Sequence, residues 1–120
     1  MHEKITKHQD LIVWQKAMNL VTSIYELTDN FPKDELYGLI SQMRRSAVSI
    51  PCNIAEGKRR GTRKDYARFL TIAYGSGAEL ETQIEISKRL KYLSYEQIKD
   101  VLSLHEEVMK MLNKMIEKLR

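Results

Sequence analysis

Apolar residues recur at helical spacing on both sides of a proline, and this continuity limits the chain to a helical fold more tightly than any other feature. Leu36, Leu39, Ile40, Met43 and Ala47 precede Pro51, and Ile54 resumes the same three-and-four spacing after it. Pro51 has no N–H for the carbonyl of Ala47, and its ring crowds that carbonyl. In a helix interior a proline costs about 3 kcal/mol against alanine. An offset is therefore expected: a shaped bend, a buried polar partner or a subunit contact. The surrounding stretch, RSAVSIPCNIAEG from Arg45 to Gly57, mixes core positions with Arg45, Ser46, Ser49, Asn53 and Glu56. Two readings stay open for it. One is a kinked structural helix whose polar groups are satisfied; the other is a surface shaped for assembly or for a nucleic-acid partner.

Four helical segments follow from periodicity and punctuation. The first covers about residues 11–27, with Asp10 as its N-cap and Leu11, Trp14, Met18, Val21 and Tyr25 on one face. Asp29, Asn30, Phe31 and Pro32 end it. The second covers about residues 33–59, through Pro51, and Gly57 and Gly61 bracket a basic turn. The third begins near Thr62, where Asp65 three residues on resembles a capping box, and ends near Leu90. Its seam is Phe69 or Leu70, Ala73, Gly77, Leu80 and Ile84. The fourth begins at Ser94, capped with Gln97, and its seam is Ile98, Val101, His105, Val108, Leu112, Met115 and Leu119. Strand-like alternation, internal repeats and low-complexity tracts are absent from the sequence. The expected fold is all-α: one up-down-up-down four-helix bundle over residues 1–120, with a proline-bent second helix.

An antiparallel hairpin pivoting near Gly61 sets Ala47 against Gly75, and Arg45 near Gly77 and Glu79. Each mid-helix glycine costs about 1 kcal/mol. Small residues on both helices, Ser46, Ala47 and Ser49 against Gly75, Ser76 and Gly77, explain them as a close approach of two backbones. The same register predicts a partly buried ion pair of Arg45 with Glu79 or Glu81. Arg45, Asn53, Glu56, Glu79 and Glu81 are thus the expected structural polar residues.

Charge is distributed unevenly. Residues 44–68 hold eight Lys and Arg against Glu56 and Asp65, a net of +6, while the whole chain carries +4. The entire positive excess lies in one segment, which says more about partners than the net charge does. Lys58, Arg59, Arg60, Arg63 and Lys64 lie at a helix C-terminus, a glycine turn and a helix N-terminus, and Arg68 follows one turn on. These six are the candidate nucleic-acid-binding residues. Free N–H groups at the start of the third helix add anion-binding capacity. Tyr66 and Phe69 offer a stacking surface. A solvated basic loop is the competing reading, and no known RNA-binding motif is present.

Catalytic signals are weak. Cys52 has no histidine near it in sequence, and a di-iron bundle needs paired Glu-x-x-His elements, of which there are none. Glu79, Glu81 and Glu85 read as a solvated or ion-paired face, and His105 as a satisfied core or interface histidine. Met109, Met111 and Met115 read as packing. No enzyme activity, metal or cofactor is expected. The single cysteine excludes an intrachain disulfide and fits a reducing compartment. The charged opening MHEKITKHQD does not resemble a signal peptide, and no run approaches the ~20 apolar residues of a membrane span. The expected location is the cytoplasm, with no membrane partner. Trp14, Tyr37, Tyr74 and Met111 exceed what one seam per helix can use, which favours a homo-oligomer.

The chain resembles the four-helix-bundle proteins encoded in intervening sequences of bacterial 23S ribosomal RNA genes. The matching elements are DLIVWQKA at residues 10–17, Phe31-Pro32, Tyr37-Gly38-Leu39 and QMRR at residues 42–45. SIPCNIAEG at residues 49–57, Phe69-Leu70, AYGS at residues 73–76 and Glu79-Leu80-Glu81 complete them. The SIPCNIAEG element is the most specific, and Cys52 stands where the family often has alanine. The resemblance implies a bundle that assembles as a homopentamer, with no assigned enzymatic activity. It also implies a relation to the accessory variability protein of diversity-generating retroelements. That pentamer binds nucleic acid and a reverse transcriptase through a positive surface. RNA, DNA and a reverse transcriptase are therefore partners to expect. The alternative is a structural or protein–protein interaction module without nucleic-acid binding.

Overall fold

The computed structural model describes residues 7–120; the charged opening stretch before Lys7 lies outside the described residues. Four helices form the bundle: α1 (Ile12–Thr28), α2 (Ser41–Arg59), α3 (Arg63–Arg89) and α4 (Tyr95–Leu119). There is no strand among the described residues. Each helix packs on its neighbour in sequence, and α4 closes onto α1. The body measures 50 × 25 × 20 Å, and α3, with 27 residues, is about 40 Å long at about 1.5 Å per residue. Val13, Ala17, Leu20 and Ile24 from α1 meet Met43, Ala47, Ile50 and Ile54 from α2 in the core. Leu70, Ala73, Leu80 and Ile84 of α3 and Ile98, Val108 and Leu112 of α4 complete it. Each large aliphatic chain buried there contributes about 1.5–3 kcal/mol.

Local chemistry sets the starts of α3 and α4. The Thr62 hydroxyl accepts the Asp65 N–H at 3.1 Å. At the start of α4, Ser94 and Gln97 form the full reciprocal box. Asp10 does not cap α1. It lies in a single 3-10 turn, His8–Asp10, and Leu11 occupies the cap position without a side-chain bond. The seam of α4 follows expectation as far as Leu112 and then moves to Ile116, leaving Met115 and Leu119 only partly buried. A straight helix of 3.6 residues per turn drifts from a seven-residue repeat, so the buried stripe shifts by one position.

The α2 helix runs unbroken through Pro51 to Arg59. The departure from helical backbone lies earlier, in a π-type turn at Leu36–Ile40, where Gly38 has φ −115° and ψ −110°. A 3-10 turn at Lys33–Glu35 precedes it, so the α-helix starts at Ser41 rather than at Lys33. Glu35 holds this junction. Its carboxylate accepts the Leu39 N–H at 3.2 Å and the Tyr92 hydroxyl at 3.0 Å. That contact, together with burial, holds the Tyr92 hydroxyl above its ordinary pKa.

Polar groups beside Pro51 form a connected bridge. The Asn53 amide donates to the Ser49 carbonyl at 2.8 Å and to the Ser49 hydroxyl at 2.9 Å. That hydroxyl lies 2.8 Å from the hydroxyl of Ser76 on α3. The polar residues of this segment thus tie α2 to α3. The register is displaced from the one the turn alone suggests: Ser49 meets Ser76, and Gly57 meets Tyr66 and Phe69.

Two sequence expectations fail on the direction in which side chains face. Among the described residues no ion pair joins Arg45 to Glu79 or Glu81, and all three side chains are exposed. The neighbouring Arg44 is the residue that staples helices. It bonds the Thr28 hydroxyl at 2.9 Å and Asp29 at 3.1 Å, and it lies 4.4 Å over the Tyr25 ring. Adjacent helix positions point about 100° apart, so a one-residue error moves a side chain to another face. The glycines also have other reasons. A Cβ on Gly77 would run into the Met109 thioether, so Gly77 serves the α3–α4 approach. Gly75 is exposed with nothing near its Cβ position, and no contact explains it. His105 is 4% exposed, and its Nε2–H donates to the Gly77 carbonyl at 2.8 Å, a satisfied core histidine.

Candidate nucleic-acid interface

The α2–α3 turn places the basic residues at one end of the bundle. Arg59 ends α2, Arg60 caps it, Gly61 reverses the chain and Thr62 caps α3. Gly61 has φ +86°, the left-handed region in which a side chain is strained. Gly57 is buried one turn earlier, where an added Cβ would lie 2.8 Å from Phe69 Cβ and 3.1 Å from the Tyr66 ring. The two helices therefore approach closely just before the turn.

The six candidate residues differ in how they are held. Arg60 bonds Glu56 at 3.0 Å and lies 4.9 Å from the Phe69 ring centre. Arg68 approaches the same ring, also at 4.9 Å. Arg63 donates to the Lys118 carbonyl at 2.7 Å, at the C-terminal end of α4. Lys58 lies 5.8 Å from the Tyr66 ring centre. Among the described residues, no ion pair, side-chain hydrogen bond or ring contact involves Arg59 or Lys64. The stacking surface expected of Phe69 and Tyr66 is thus already occupied by the protein's own cations. The start of α3 is also less open than expected: the Thr62 hydroxyl takes the Asp65 N–H, and the Asp65 carboxylate stands in the first turn. Burial raises the Tyr66 hydroxyl above its ordinary pKa.

Two clefts open beside these residues. One, of about 200 Å³, is lined by Gly57, Lys58, Gly61, Thr62, Arg63 and Tyr66. The other, of about 520 Å³, is lined by Lys7, His8, Gln9, Lys58 and Arg59. Lys7 and His8 were missed by sequence reasoning, because nothing local links residue 7 to residue 59. The signal was in the topology: an up-down bundle brings the start of the first helix to the end where the second finishes. Of the structural polar residues, Asn53 bridges to Ser49, Glu56 pairs with Arg60, and Arg45, Glu79 and Glu81 are exposed. Glu85 pairs with Lys88 and Arg89 of its own helix, and these contacts hold its carboxyl below the usual range. Cys52 is exposed and shares a groove with His8, a proximity invisible in sequence; no hydrogen bond joins them among the described residues. No group of His, Cys, Asp or Glu able to hold a metal occurs among the described residues. No helix there is long and apolar enough to cross a membrane.

Comparison with known proteins places this architecture. The chain is similar to a crystal structure of a protein of unknown function from the S23 ribosomal protein family of Bacteroides thetaiotaomicron. Sequence identity is 27%, the TM-score is 0.78, and the match covers 88% of this chain and 98% of that one. No curated protein matches. The model of the 23S rRNA-intervening sequence protein family matches residues 9–114, a stretch that holds the whole basic turn and the Pro51 helix, and the chain belongs to that family.

Proposed function

We propose that this protein acts by binding rather than by catalysis, holding the phosphate backbone of RNA or DNA at the α2–α3 turn. The observation that carries the reading is the gathering of six cations at one end of the bundle against Glu56 and Asp65, with Arg59 and Lys64 having no partner of their own among the described residues. Phosphate contacts need such charge and no sequence motif. Arg60 and Arg63 are pre-positioned by Glu56 and by the end of α4, which lowers the ordering cost of a contact.

The protein works as a homo-oligomer in this reading, a pentamer by its family resemblance. Tyr37 is 93% exposed, and Tyr25 and Leu36 beside it line one apolar surface. Ile72 and Tyr74 are exposed on α3. A ring needs two different faces per subunit, and these supply candidates. Trp14 and Met111 pack partly against the core. A ring repeats the basic turn, so modest single-site affinity is multiplied by linked binding.

The test measures binding of structured RNA and duplex DNA by wild type and by a variant with Arg59, Arg60 and Arg63 all changed to alanine. The variant should weaken on every sequence about equally, because phosphate contacts position without specifying. Wild type that binds neither at low salt would hand the protein to the alternative, an interaction module presenting the Tyr37 surface.

A further inference from the structure

We infer that the groove between α1 and α2 receives an unpaired base of a single-stranded nucleic acid, with its phosphate in the cleft of Lys7, Lys58 and Arg59. This rests on the reading that the basic turn binds phosphates, and it names the form of nucleic acid that the site selects.

His8 joins the two halves of the site. It lines the basic cleft, and it also lines an apolar groove of about 340 Å³ walled by Trp14 and Met18 of α1 and Pro51 and Cys52 of α2. The groove is within the size range of small-ligand sites, and its walls are apolar with an aromatic among them. A nucleotide has the matching layout: an anion at one end, and at the other a flat ring whose faces are apolar. Lys58 also lines the neighbouring cleft with Arg63 across the turn, so a chain of phosphates, and not just one, meets complementary charge. Asp10 of the His8 turn, Glu56 of α2 and Asp65 in the first turn of α3 are anions of this end, and Glu56 is taken up by Arg60.

Trp14 is the aromatic that lines the groove beside the cleft. Phe69 and Tyr66 carry Arg60, Arg68 and Lys58 on their rings, whereas no cation covers Trp14 among the described residues. His8 meets the indole edge-on, with 5.3 Å between ring centres and 61° between planes, so no parallel ring is stacked on it there. Stacking of bases on aromatic side chains tolerates any sequence, since every base has a π-face. In a duplex the bases are already stacked on one another, so only an unpaired base can enter. Lys7 and His8 precede the residues that the family model matches, so the cleft is assigned from this chain's own geometry.

Trp14 and Cys52 are the chain's only tryptophan and only cysteine, and both line the groove. Binding of a labelled oligonucleotide is followed by anisotropy while Trp14 emission and the rate of Cys52 alkylation are read in parallel. The ligands are a single strand, its duplex and an abasic strand of equal length. The single strand should quench Trp14 and slow alkylation. The duplex and the abasic strand should bind through the turn and leave both signals unchanged. Trp14→Leu should weaken single-strand binding by about tenfold, and duplex binding not at all. Ala55→Leu, which fills the groove from α2, should do the same without touching the indole. If no nucleic acid binds, the function proposed above fails with this inference. If strands bind with Trp14 emission and Cys52 alkylation unchanged, or the abasic strand quenches equally, only the base site is overturned. Emission that moves with protein concentration alone makes the groove a subunit interface. A shift with anionic lipid vesicles but not with the strand makes it a lipid site; either result also overturns the inference.

Discussion

Substituting Gly57 and Gly75 separately by alanine tests the helix packing that aims the basic turn. Both glycines lie inside helices, so alanine at either should gain about 1 kcal/mol of helix propensity. At Gly75 nothing lies within 4 Å of the added Cβ, and the gain should appear in full. At Gly57 the Cβ would sit 2.8 Å from Phe69 Cβ and 3.3 Å from the Tyr66 carbonyl. Both atoms are anchored to the α3 backbone and cannot swing aside, so α2 and α3 must part. Overpacking of this kind costs 1–3 kcal/mol, and anchored neighbours put it near the upper end, about 3 kcal/mol. After the propensity gain, Gly57→Ala should be net destabilised by about 2 kcal/mol. The two variants should therefore differ by about 3 kcal/mol and lie on opposite sides of wild type. At roughly 4 °C per kcal/mol, that separates their melting points by about 12 °C. Urea unfolding followed by helical circular dichroism reads the difference, at one protein concentration because assembly makes apparent stability concentration-dependent. A Gly57→Ala variant as stable as wild type, or a Gly75→Ala variant destabilised to the same extent, would refute the packing argument.

Other outcomes follow from single contacts. His105→Leu should lose about 1 kcal/mol in urea unfolding, the net worth of the bond to the Gly77 carbonyl, while helix content is kept. Glu35→Ala removes the acceptor of both the Leu39 N–H and the Tyr92 hydroxyl and should cost about 1–3 kcal/mol by the same measurement, with Leu39 exchanging its amide proton faster. Tyr66 and Tyr92 have hydroxyls raised above the ordinary value of 10.0, so the folded state holds those protons more tightly. The stability they add is complete below about pH 10 and is lost as pH rises through the folded values, so alkaline unfolding should begin later in Tyr92→Phe than in wild type. Glu85 is lowered by Arg89 and Lys88, so its contribution is present above the ordinary 4.5 and lost as pH falls, an acid-side loss that Glu85→Gln should not show. Light scattering should return a multiple of the 14.1 kDa chain mass; the monomer mass at micromolar concentration would remove the oligomer from the proposal.

The sequence was most legible where local chemistry decides the structure. Thr62 and Ser94 cap helices because their hydroxyls reach N–H groups three residues on, and that depends on nothing distant. The helix through Pro51 was legible because apolar spacing persists on both sides of it. The junction at Gly38 was not, because the π-type turn is held by Glu35 and Tyr92, which are 57 positions apart. Register between helices was read only approximately from the turn. The face each residue presents was not read at all, so Arg45 was chosen over Arg44 and Gly77 was given the wrong neighbouring helix. The candidate site was legible as charge but not as geometry. Composition located the cations; it could not show that Phe69 and Tyr66 are covered or that Lys7 and His8 complete a cleft.

The slope of log affinity against log salt tests the central claim most directly. If the turn binds phosphates, affinity falls steeply as salt rises, because bound cations release counterions. Each cation removed should make the slope shallower by roughly 0.7 for single strands and 0.9 for duplex DNA. Arg59→Ala should show this in full, since Arg59 has no intramolecular partner to release among the described residues. A wild-type slope near zero, or an Arg59→Ala slope equal to that of wild type, would contradict the account and leave the basic turn as a solvated loop.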